Sequence, residues 1–217
     1  MIIAIDGPAG SGKSSTAKGV SKKLGFFYLD TGAMYRAVTL GLIKSSIKFD
    51  EFEKIENFID NCSINFNFNG SKINLNGKNV SREIRENLVT SNVSEVSSIK
   101  LIRDKMVYLQ KKIVKNDNFV VEGRDIGTIV FPEAEFKFFL NANIKQRAIR
   151  RKNQNFKQGI EKNLNEIILE LKARDKKDST RENSPLVRAN DAISIDTSNV
   201  TLNDQISLIC NYIYNFN

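Results

Sequence analysis

Eight residues near the start of the chain have the types and the spacing needed to hold a chain of phosphates. They run from Gly7 to Ser14 and read Gly-Pro-Ala-Gly-Ser-Gly-Lys-Ser, which fits the pattern G-x-x-x-x-G-K-[ST]. In this pattern the backbone N–H groups of the loop surround phosphates, the lysine reaches the outer phosphates, and the hydroxyl binds Mg²⁺. Those last two roles fall to Lys13 and Ser14. The alternative is an ordinary glycine-rich turn with a chance lysine.

The segments on either side of this loop favour the phosphate site over the ordinary turn. Met1–Ile5 is an unbroken apolar run, as in a strand that is buried on both faces. After the loop, apolar residues recur at helical spacing as far as Leu24, and Gly25 closes the segment. A strand, a glycine loop and a helix in this order aim unpaired N–H groups and the positive end of a helix dipole at one point. The sequence therefore predicts a loop that binds a nucleoside triphosphate.

Two further strand ends carry polar residues that would face this loop. Phe26–Leu29 has the pattern of a buried strand and ends in Asp30-Thr31-Gly32; Phe119–Val121 has the same pattern and ends in Glu122-Gly123-Arg124-Asp125. Because ligands of open α/β sheets bind at the carboxyl ends of the strands, both ends should lie in the crevice of the loop. The second end offers a ligand for Mg²⁺ or its water, a phosphate clamp and a hydrogen-bonding carboxylate. A loop with internal salt bridges is the less favoured alternative.

Arginines elsewhere in the chain suit further phosphates. A helix that begins near Ala33 carries Tyr35 and Arg36 in its first turn, beside the loop, and Arg36 is as consistent with a second phosphate as with a solvated surface. A predicted basic helix after the strand Phe136–Leu140 suits a flap that closes over the phosphates, with a solvated basic face as the alternative. Its arginines are Arg147, Arg150 and Arg151.

An alternating pattern predicts a small inserted subdomain in this α/β chain, at residues 63–92. Ile64, Phe66 and Phe68 alternate with Asn, and Asn69-Gly70 predicts a turn that pairs Phe66 with Ile73 and Ile64 with Leu75. Asn76-Gly77 predicts a second turn before a short strand at Lys78–Val80. The result would be an antiparallel meander outside the main sheet.

The other patterns predict helices and the last strand. Asp50 to Glu53 has the capping-box form with Asp50 as the cap, and Val93 to Ile113 is one long helical stripe with Arg103 off it. A helix that begins at Leu164 should lead into the charged run Arg174–Arg181. The last strand is Ala192–Ile195, before a terminal helix.

Composition narrows the classes of function. The chain has 217 residues, no His, and a formal net charge of +8, which suits nucleotide phosphates or nucleic acid. Without His, hydrolases with a Ser-His-Asp or Cys-His site are excluded, whereas phosphoryl transfer by Lys, Arg and Mg²⁺ is not. Cys62 and Cys210 form no disulfide framework, and we find no signal peptide and no membrane-length apolar run. A cytoplasmic protein with no membrane partner is expected.

Motifs along nearly the whole chain resemble those of bacterial cytidylate kinases, which are P-loop nucleoside monophosphate kinases. They occur in the family's order, and they are Met1–Lys13, Leu29–Arg36, Asn79–Arg85, Glu122–Pro132 and the run Arg174-Asp175…Asp178…Arg181…Ser184-Pro-Leu186. The resemblance implies phosphoryl transfer from ATP, with Mg²⁺, to CMP or dCMP in pyrimidine metabolism. It also implies a P-loop kinase fold: a five-stranded parallel sheet flanked by helices, the inserted meander over the acceptor site, and a helical lid at residues 146–162. It further implies a monomer that binds no nucleic acid.

The resemblance also implies roles for individual residues. The catalytic residues would be Lys13, Arg124 and Arg174, with Ser14 at the metal. ATP would be bound by Gly7, Pro8, Ala9, Gly10, Ser11, Gly12, Lys13, Ser14, Ser15 and Arg150. CMP would be bound by Thr31, Tyr35, Arg36, Ser94, Arg103, Arg124, Asp125, Asp178 and Arg181. Thr31 stands where Ser is usual in the family, and Glu122 where Asp is usual.

Three rival functions follow from the same residues. A P-loop kinase for another nucleotide or for a sugar-like acid is the nearest, but Arg36 and Arg124 favour an acceptor that already carries phosphate. A GTPase is disfavoured because no Asn-Lys-x-Asp motif occurs. The positive charge leaves open a nucleic-acid-binding ATPase, whose retention on DNA would fall steeply with salt.

Overall fold

The computed structural model describes residues 1–66, 72–157 and 159–216, and a five-stranded sheet runs through its centre. In sheet order the strands are β2, β6, β1, β7 and β8, and every neighbouring pair is parallel. Their bounds are β1 Ile2–Asp6, β2 Phe27–Asp30, β6 Phe119–Gly123, β7 Phe136–Asn141 and β8 Ile193–Asp196. β6 is buried throughout and β1 in all but its first residue, as continuous apolar runs in a parallel sheet require, whereas β7 is buried at Lys137, Phe138 and Leu140.

Helices cover both faces of this sheet. Ala17 and Val20 of one helix and Ile209 and Ile213 of another pack on one face, while Met34, Ile102 and their neighbours pack on the other. The helices are α1 Lys13–Leu24, α2 Thr31–Lys44, α3 Phe52–Asn61, α4 Asn87–Val96, α5 Lys100–Ile113, α6 Ile144–Phe156, α7 Leu164–Thr180 and α8 Leu202–Tyr214. The predicted α/β class with a flanked parallel sheet is confirmed.

The predicted insertion is a separate three-stranded antiparallel sheet. Its strands are β3 Ile64–Phe66, β4 Ile73–Leu75 and β5 Lys78–Asn79. The predicted register is confirmed, because Phe66 pairs with Ile73 and Ile64 with Leu75. The turn at Asn76-Gly77 is also confirmed, with both residues in the left-handed conformation that such a turn needs. The predicted turn at Asn69-Gly70 and the position of Phe68 lie outside the described residues.

Three sequence predictions about helices were wrong. Asp50 does not cap α3: the cap is Glu51, and its carboxylate instead accepts from the Lys48 N–H. The stripe from Val93 to Ile113 is not one helix, because the chain leaves α4 at Ser97 and enters α5 after Ile99. Serine competes with helical hydrogen bonds through its side chain, and an apolar stripe alone does not register such a break. Most of the charged run expected after the helix from Leu164 lies inside α7, which continues to Thr180.

Two findings bear on the environment of the protein. Within the described residues, no helix combines the length and the apolar character needed to cross a membrane. Cys62 and Cys210 are both free thiols.

Candidate active site

A cleft of about 1480 Å³ opens at the carboxyl ends of three adjacent strands, β2, β6 and β1. The register brings Asp30 beside Glu122 and Asp6 beside Gly123, so the three ends lie level. Every loop that leaves these ends was singled out from the sequence. The cleft wall also includes side chains of α4, α5, α6 and α7.

The loop from Gly7 to Ser14 forms one end of the cleft. At Gly7 a side chain is impossible, because a Cβ would lie 2.0 Å from the carbonyl oxygen of Leu140 on β7. Gly12 is the N-cap of α1 and adopts the left-handed conformation. Because glycine has no side chain, it does not cap the first N–H groups of α1, which stay available to a ligand. Such a terminus attracts anions.

Lys13 is buried at the base of this loop, where its Nζ donates to the carbonyl of Pro8 at 2.8 Å. Burial lowers the pKa of Lys13, and the nearby Arg124 and Arg174 lower it further against the opposing pull of Glu122. An anion that enters the cleft would therefore stabilise the protonated, positively charged form of Lys13. Ser14 and Ser15, which follow it, are exposed to the cleft.

Glu122 occupies the floor between the loop and β2. It is buried, and one of its oxygens accepts from the Tyr28 hydroxyl. Burial and the neighbouring Asp30 raise the pKa of Glu122, while Lys13 and the Ser14 hydroxyl beside it oppose this rise. The Glu122 carboxyl thus lies next to both residues that the sequence predicts at the outer phosphates and the metal.

Arginines on two sides of the cleft are held in place by carboxylates. Arg36 donates to Asp30 at 3.1 Å, and Asp30 also caps α2 by accepting from the Ala33 N–H. This cap starts α2 at Thr31, two residues earlier than predicted. Arg85 lies 3.9 Å from the same carboxylate. Arg36 and Arg85 are therefore oriented together towards one part of the cleft.

The second arginine group centres on Asp178. Arg124 donates to it at 2.9 Å, and Arg174 lies 4.0 Å from it, one helical turn earlier on α7. Burial alone would raise the pKa of Asp178, but these two cations outweigh it and lower that pKa. Burial and the nearby Arg124 lower the pKa of Arg174 to about 10. Two cations so close together favour the arrival of an anion.

The far end of the cleft is a buried polar pocket. Arg103 and Arg181 flank the two oxygens of Asp125: Arg103 hydrogen-bonds one, and Arg181 lies 3.7 Å from the other. The break between α4 and α5 frees the Ser97 carbonyl, which accepts from Arg103 at 3.1 Å. The Arg103 guanidinium lies over the Tyr35 ring, 5.4 Å from its centroid. Burial raises the pKa of Tyr35 to about 12, so its hydroxyl stays protonated.

This pocket retains unused hydrogen-bonding capacity. Among the described residues, Arg103 Nε and Arg181 Nη2 are buried and lack hydrogen-bond partners. Buried polar groups are normally paired, so such orphans indicate a polar ligand. Thr31 is different, because its hydroxyl donates to the Glu122 carbonyl at 2.7 Å. Ser94 of α4 is half-buried and lines the same cleft.

The arginines of α6 are placed differently from one another. Arg150 donates to the Ser11 carbonyl at 3.3 Å and to the Thr197 hydroxyl at 3.0 Å, at the edge of the loop. Arg147, predicted for a flap over the phosphates, instead lies beneath the loop and donates to the Ala9 carbonyl. Arg151 lines the cleft. Burial lowers its pKa, and the nearby cations Arg36 and Arg85 lower it further.

Sequence reasoning assigned no role to two residues at the site, Arg85 and Asp6. Arg85 stood in a quoted motif, and only the fold shows that it shares Asp30 with Arg36. Asp6 accepts from the N–H groups of Ile126 and Gly127 at 2.9 and 2.8 Å, and so ties the start of the phosphate loop to the segment after Asp125. Burial raises the pKa of Asp6 to about 6. A single Asp after a buried strand gives no signal of this contact.

Known proteins match this chain over nearly its whole length. The family model described as "Cytidylate kinase" matches residues 3–215. The cytidylate kinase of Fusobacterium nucleatum is 49% identical over 209 residues, which are 96% of this chain and 95% of that protein. A cytidylate kinase of Clostridium botulinum is 43% identical over 211 residues, 97% of this chain and 96% of that one. The crystal structure of an uncharacterized protein from Eubacterium ventriosum superposes with a TM-score of 0.55 at 14% identity, over 99% of this chain and 98% of that chain, and shows a common fold.

Proposed function

The chain belongs to the cytidylate kinase family, and we propose that it transfers the γ-phosphoryl group of ATP to CMP and dCMP in the cleft above β1, β2 and β6. One observation carries this assignment to the cleft. The cleft that holds the phosphate loop and the polar pocket is also lined by cations from four separate parts of the chain, and they are Arg36, Arg85, Arg124 and Arg174. Cations in that position fit an acceptor that already bears a phosphate.

ATP binds at the loop from Gly7 to Ser14, with Ser15 and Arg150 at its edge. Backbone N–H groups at the start of α1 hold the phosphates, as they do in phosphate loops generally. Lys13 exchanges the Pro8 carbonyl for the outer phosphates, because an ammonium pairs better with an anion than with a neutral acceptor. Negative charge that grows on the transferred group is thereby stabilised.

The residues beside Lys13 fit Mg²⁺ bound together with ATP. Mg²⁺ keeps several waters and takes one or two protein ligands plus phosphate oxygens. Ser14 supplies such a ligand, and the Glu122 carboxyl beside it suits a metal-bound water. Among the residues described, no cluster of three or more acidic, His or Cys side chains could hold a metal. Bound there, Mg²⁺ would neutralise charge on the phosphates.

The phosphate of CMP lies between Arg36 and Arg124. In the structure these arginines contact the carboxylates of Asp30 and Asp178, which preset their guanidinium groups. Arg174 stands beside Arg124 and faces the transferred phosphoryl group, so Lys13, Arg124 and Arg174 are the catalytic residues. Phosphoryl transfer needs such positioning and charge more than covalent chemistry.

Cytosine occupies the pocket around Asp125. Its N3 and O2 accept hydrogen bonds and its exocyclic amine donates one. The orphaned N–H groups of Arg103 and Arg181 supply the donors, and the Asp125 carboxylate supplies the acceptor. Thr31, Tyr35 and Ser94 form the wall around them. Uracil presents a donor at N3 and a carbonyl at C4, so its N3–H faces the arginine donors and its carbonyl faces the Asp125 acceptor.

Two segments close over the bound substrates. Residues 63–92 form the acceptor-binding insert, and residues 146–162 form a lid whose Arg151 already faces the cleft. Closure would exclude water, which otherwise competes for the phosphoryl group. The free thiols Cys62 and Cys210 support a reducing, cytoplasmic setting for this activity. The monomeric state that the family resemblance implies is part of the same proposal.

Product analysis tests this function. Purified protein is incubated with ATP, MgCl₂ and CMP or dCMP, and ³¹P NMR follows the nucleotides. We expect ADP and CDP, or dCDP, to appear in equal amounts, with little ADP when the acceptor is omitted. ADP formed at the same rate without CMP would make the protein an ATPase and would contradict the proposal.

A further inference from the structure

The outer side of the phosphate loop is held by donors from distant elements. The Ala9 carbonyl accepts from Arg147 Nη1 at 3.1 Å, and the Ser11 carbonyl accepts from the Thr197 hydroxyl at 2.8 Å. In a planar trans peptide the C=O of one residue and the N–H of the next point in opposite directions. A donor that fixes the Ala9 carbonyl therefore also fixes the direction of the Gly10 N–H.

Arg147 reaches Ala9 as one half of an ion pair with Asp175 of α7, in which the arginine is buried and the aspartate half-buried. The Arg147 side chain is only 10% exposed, and its Nε also donates to the Ala142 carbonyl at 3.0 Å. Asp175 Oδ1 accepts from the Ala9 N–H at 3.4 Å, while its Oδ2 pairs with Arg147. The pair thus contacts the peptide groups on both sides of the Ala9 Cα.

Gly10 shows how closely the loop and α6 approach each other. A Cβ at Gly10 would lie 3.2 Å from both the Cβ and the carbonyl oxygen of Arg147, and the φ of Gly10 is +76°. The loop therefore rests directly on the first turn of α6. Its shape depends on where α6 and α7 place Arg147 and Asp175.

We propose that Arg147 and Asp175 are positioning residues for the donor triphosphate, which hold the Ala9 peptides so that the Gly10 N–H is aimed at the phosphates of ATP. This inference rests on the donor site proposed above. Neither residue needs to touch ATP, because each acts through the loop backbone. The pair also joins the first turn of α6 to α7 and to the loop.

The arrangement predicts a defect on one substrate only. Within the described part of the chain, the hydrogen bonds and ion pairs of Arg147 and Asp175 go to the loop, to Ala142 and to each other, and none goes to a residue of the CMP pocket. Loosening this pair should weaken ATP binding and leave CMP binding to the free enzyme unchanged. General damage to the fold would weaken both.

The test uses Asp175→Asn and Arg147→Lys in the full chain, one variant on each side of the pair. Asparagine keeps the size and one oxygen of Asp175, and lysine keeps the charge of Arg147 but loses its fork. The matched control is Asp191→Asn, which breaks an ion pair between the exposed Asp191 and the buried Lys137, away from the loop. Calorimetric titration gives the Kd of ATP with MgCl₂ and the Kd of CMP for each protein, and thermal unfolding checks the fold.

We expect both variants to raise the Kd of ATP about tenfold, the effect of one hydrogen bond to a charged group, with the Kd of CMP and both values of the control unchanged. An unchanged Kd of ATP in both variants would overturn the inference. Equal weakening of ATP and CMP would also overturn it, because the pair would then be a general structural tie. Failure of the wild-type protein to bind ATP would overturn the proposed function itself. If the wild type binds ATP and the two variants bind it equally well, only the positioning role of Arg147 and Asp175 is overturned.

Discussion

The replacement of Arg103 by lysine tests whether the buried pocket reads the base. Arg103 is 3% exposed, and its guanidinium joins Asp125 to the Ser97 carbonyl while it lies over the Tyr35 ring. Lysine keeps the positive charge but has a single nitrogen, so it cannot keep both contacts and also offer an N–H to the base. The change removes a donor while Asp125 keeps a cation nearby.

The size of the expected effect follows from the lost contact. A hydrogen bond to a charged group contributes about 1.5–3 kcal/mol, so kcat/KM for CMP should fall roughly 10- to 100-fold. UMP already mismatches the arginine donor at N3, so its much lower kcat/KM should change little. The ratio of kcat/KM for CMP to that for UMP should therefore shrink about tenfold or more.

Steady-state assays with both acceptors, on the wild type and on Arg103→Lys, measure this ratio. Lys111→Met is the matched control, because it removes an exposed cation from the same helix α5, away from the cleft. Equal losses on CMP and UMP would refute the reasoning, since Arg103 would then only support α5. A normal ratio in the variant would refute it as well.

Three further predictions concern the donor site and the moving segments. Lys13→Met should lower kcat by at least about 10³ with an unchanged circular dichroism spectrum, because the lysine stabilises charge in the transition state; near-normal kcat would contradict this. ATP should bind with proton uptake at pH of about 8, because burial lowers the pKa of Lys13 in the free enzyme and the phosphates restore its proton, so affinity falls as pH rises. Calorimetry in buffers of different ionisation enthalpy measures this uptake, and proton release would oppose it. Amide hydrogen exchange in residues 72–80 and 151–157 should slow when ATP and CMP are both bound, and unchanged exchange in both segments would argue against closure.

The fold was largely predictable because its signals are local. The strand, loop and helix around Gly7–Ser14, the apolar strands and the register of β3 and β4 each depend on residues near in sequence, and the structure confirms them. The resemblance to cytidylate kinases is likewise confirmed by the family match. The wrong predictions also have local causes: near each one a polar side chain hydrogen-bonds the neighbouring backbone, Ser97 to the Ser94 carbonyl and Glu51 to the Lys48 N–H, and a pattern of hydrophobicity contains no signal of such bonds.

The contacts between distant elements could not be predicted. Arg147 belongs to a basic helix whose spacing fits a flap, yet the residue lies under the loop because Asp175, 28 positions later, pairs with it there. The same long-range packing determines two other sets of contacts. Arg36 and Arg85 both pair with Asp30, and Asp6 contacts the segment after Asp125. Spacing identified candidate residue types, whereas only the fold shows which partner each one has.

The most direct test of the central claim is the kcat/KM of the wild-type protein, with ATP and MgCl₂, for each common nucleoside monophosphate. CMP and dCMP should be the preferred acceptors, with UMP at least about 10²-fold lower because its N3–H and C4 carbonyl mismatch the Arg103, Arg181 and Asp125 pocket. AMP and GMP should also be poorer acceptors than CMP, because adenine has no counterpart of the cytosine O2 and guanine presents an N–H at N1 and a carbonyl at C6. Equal kcat/KM for UMP and CMP, or a preference for a purine nucleotide, would contradict the assignment of that pocket to cytosine.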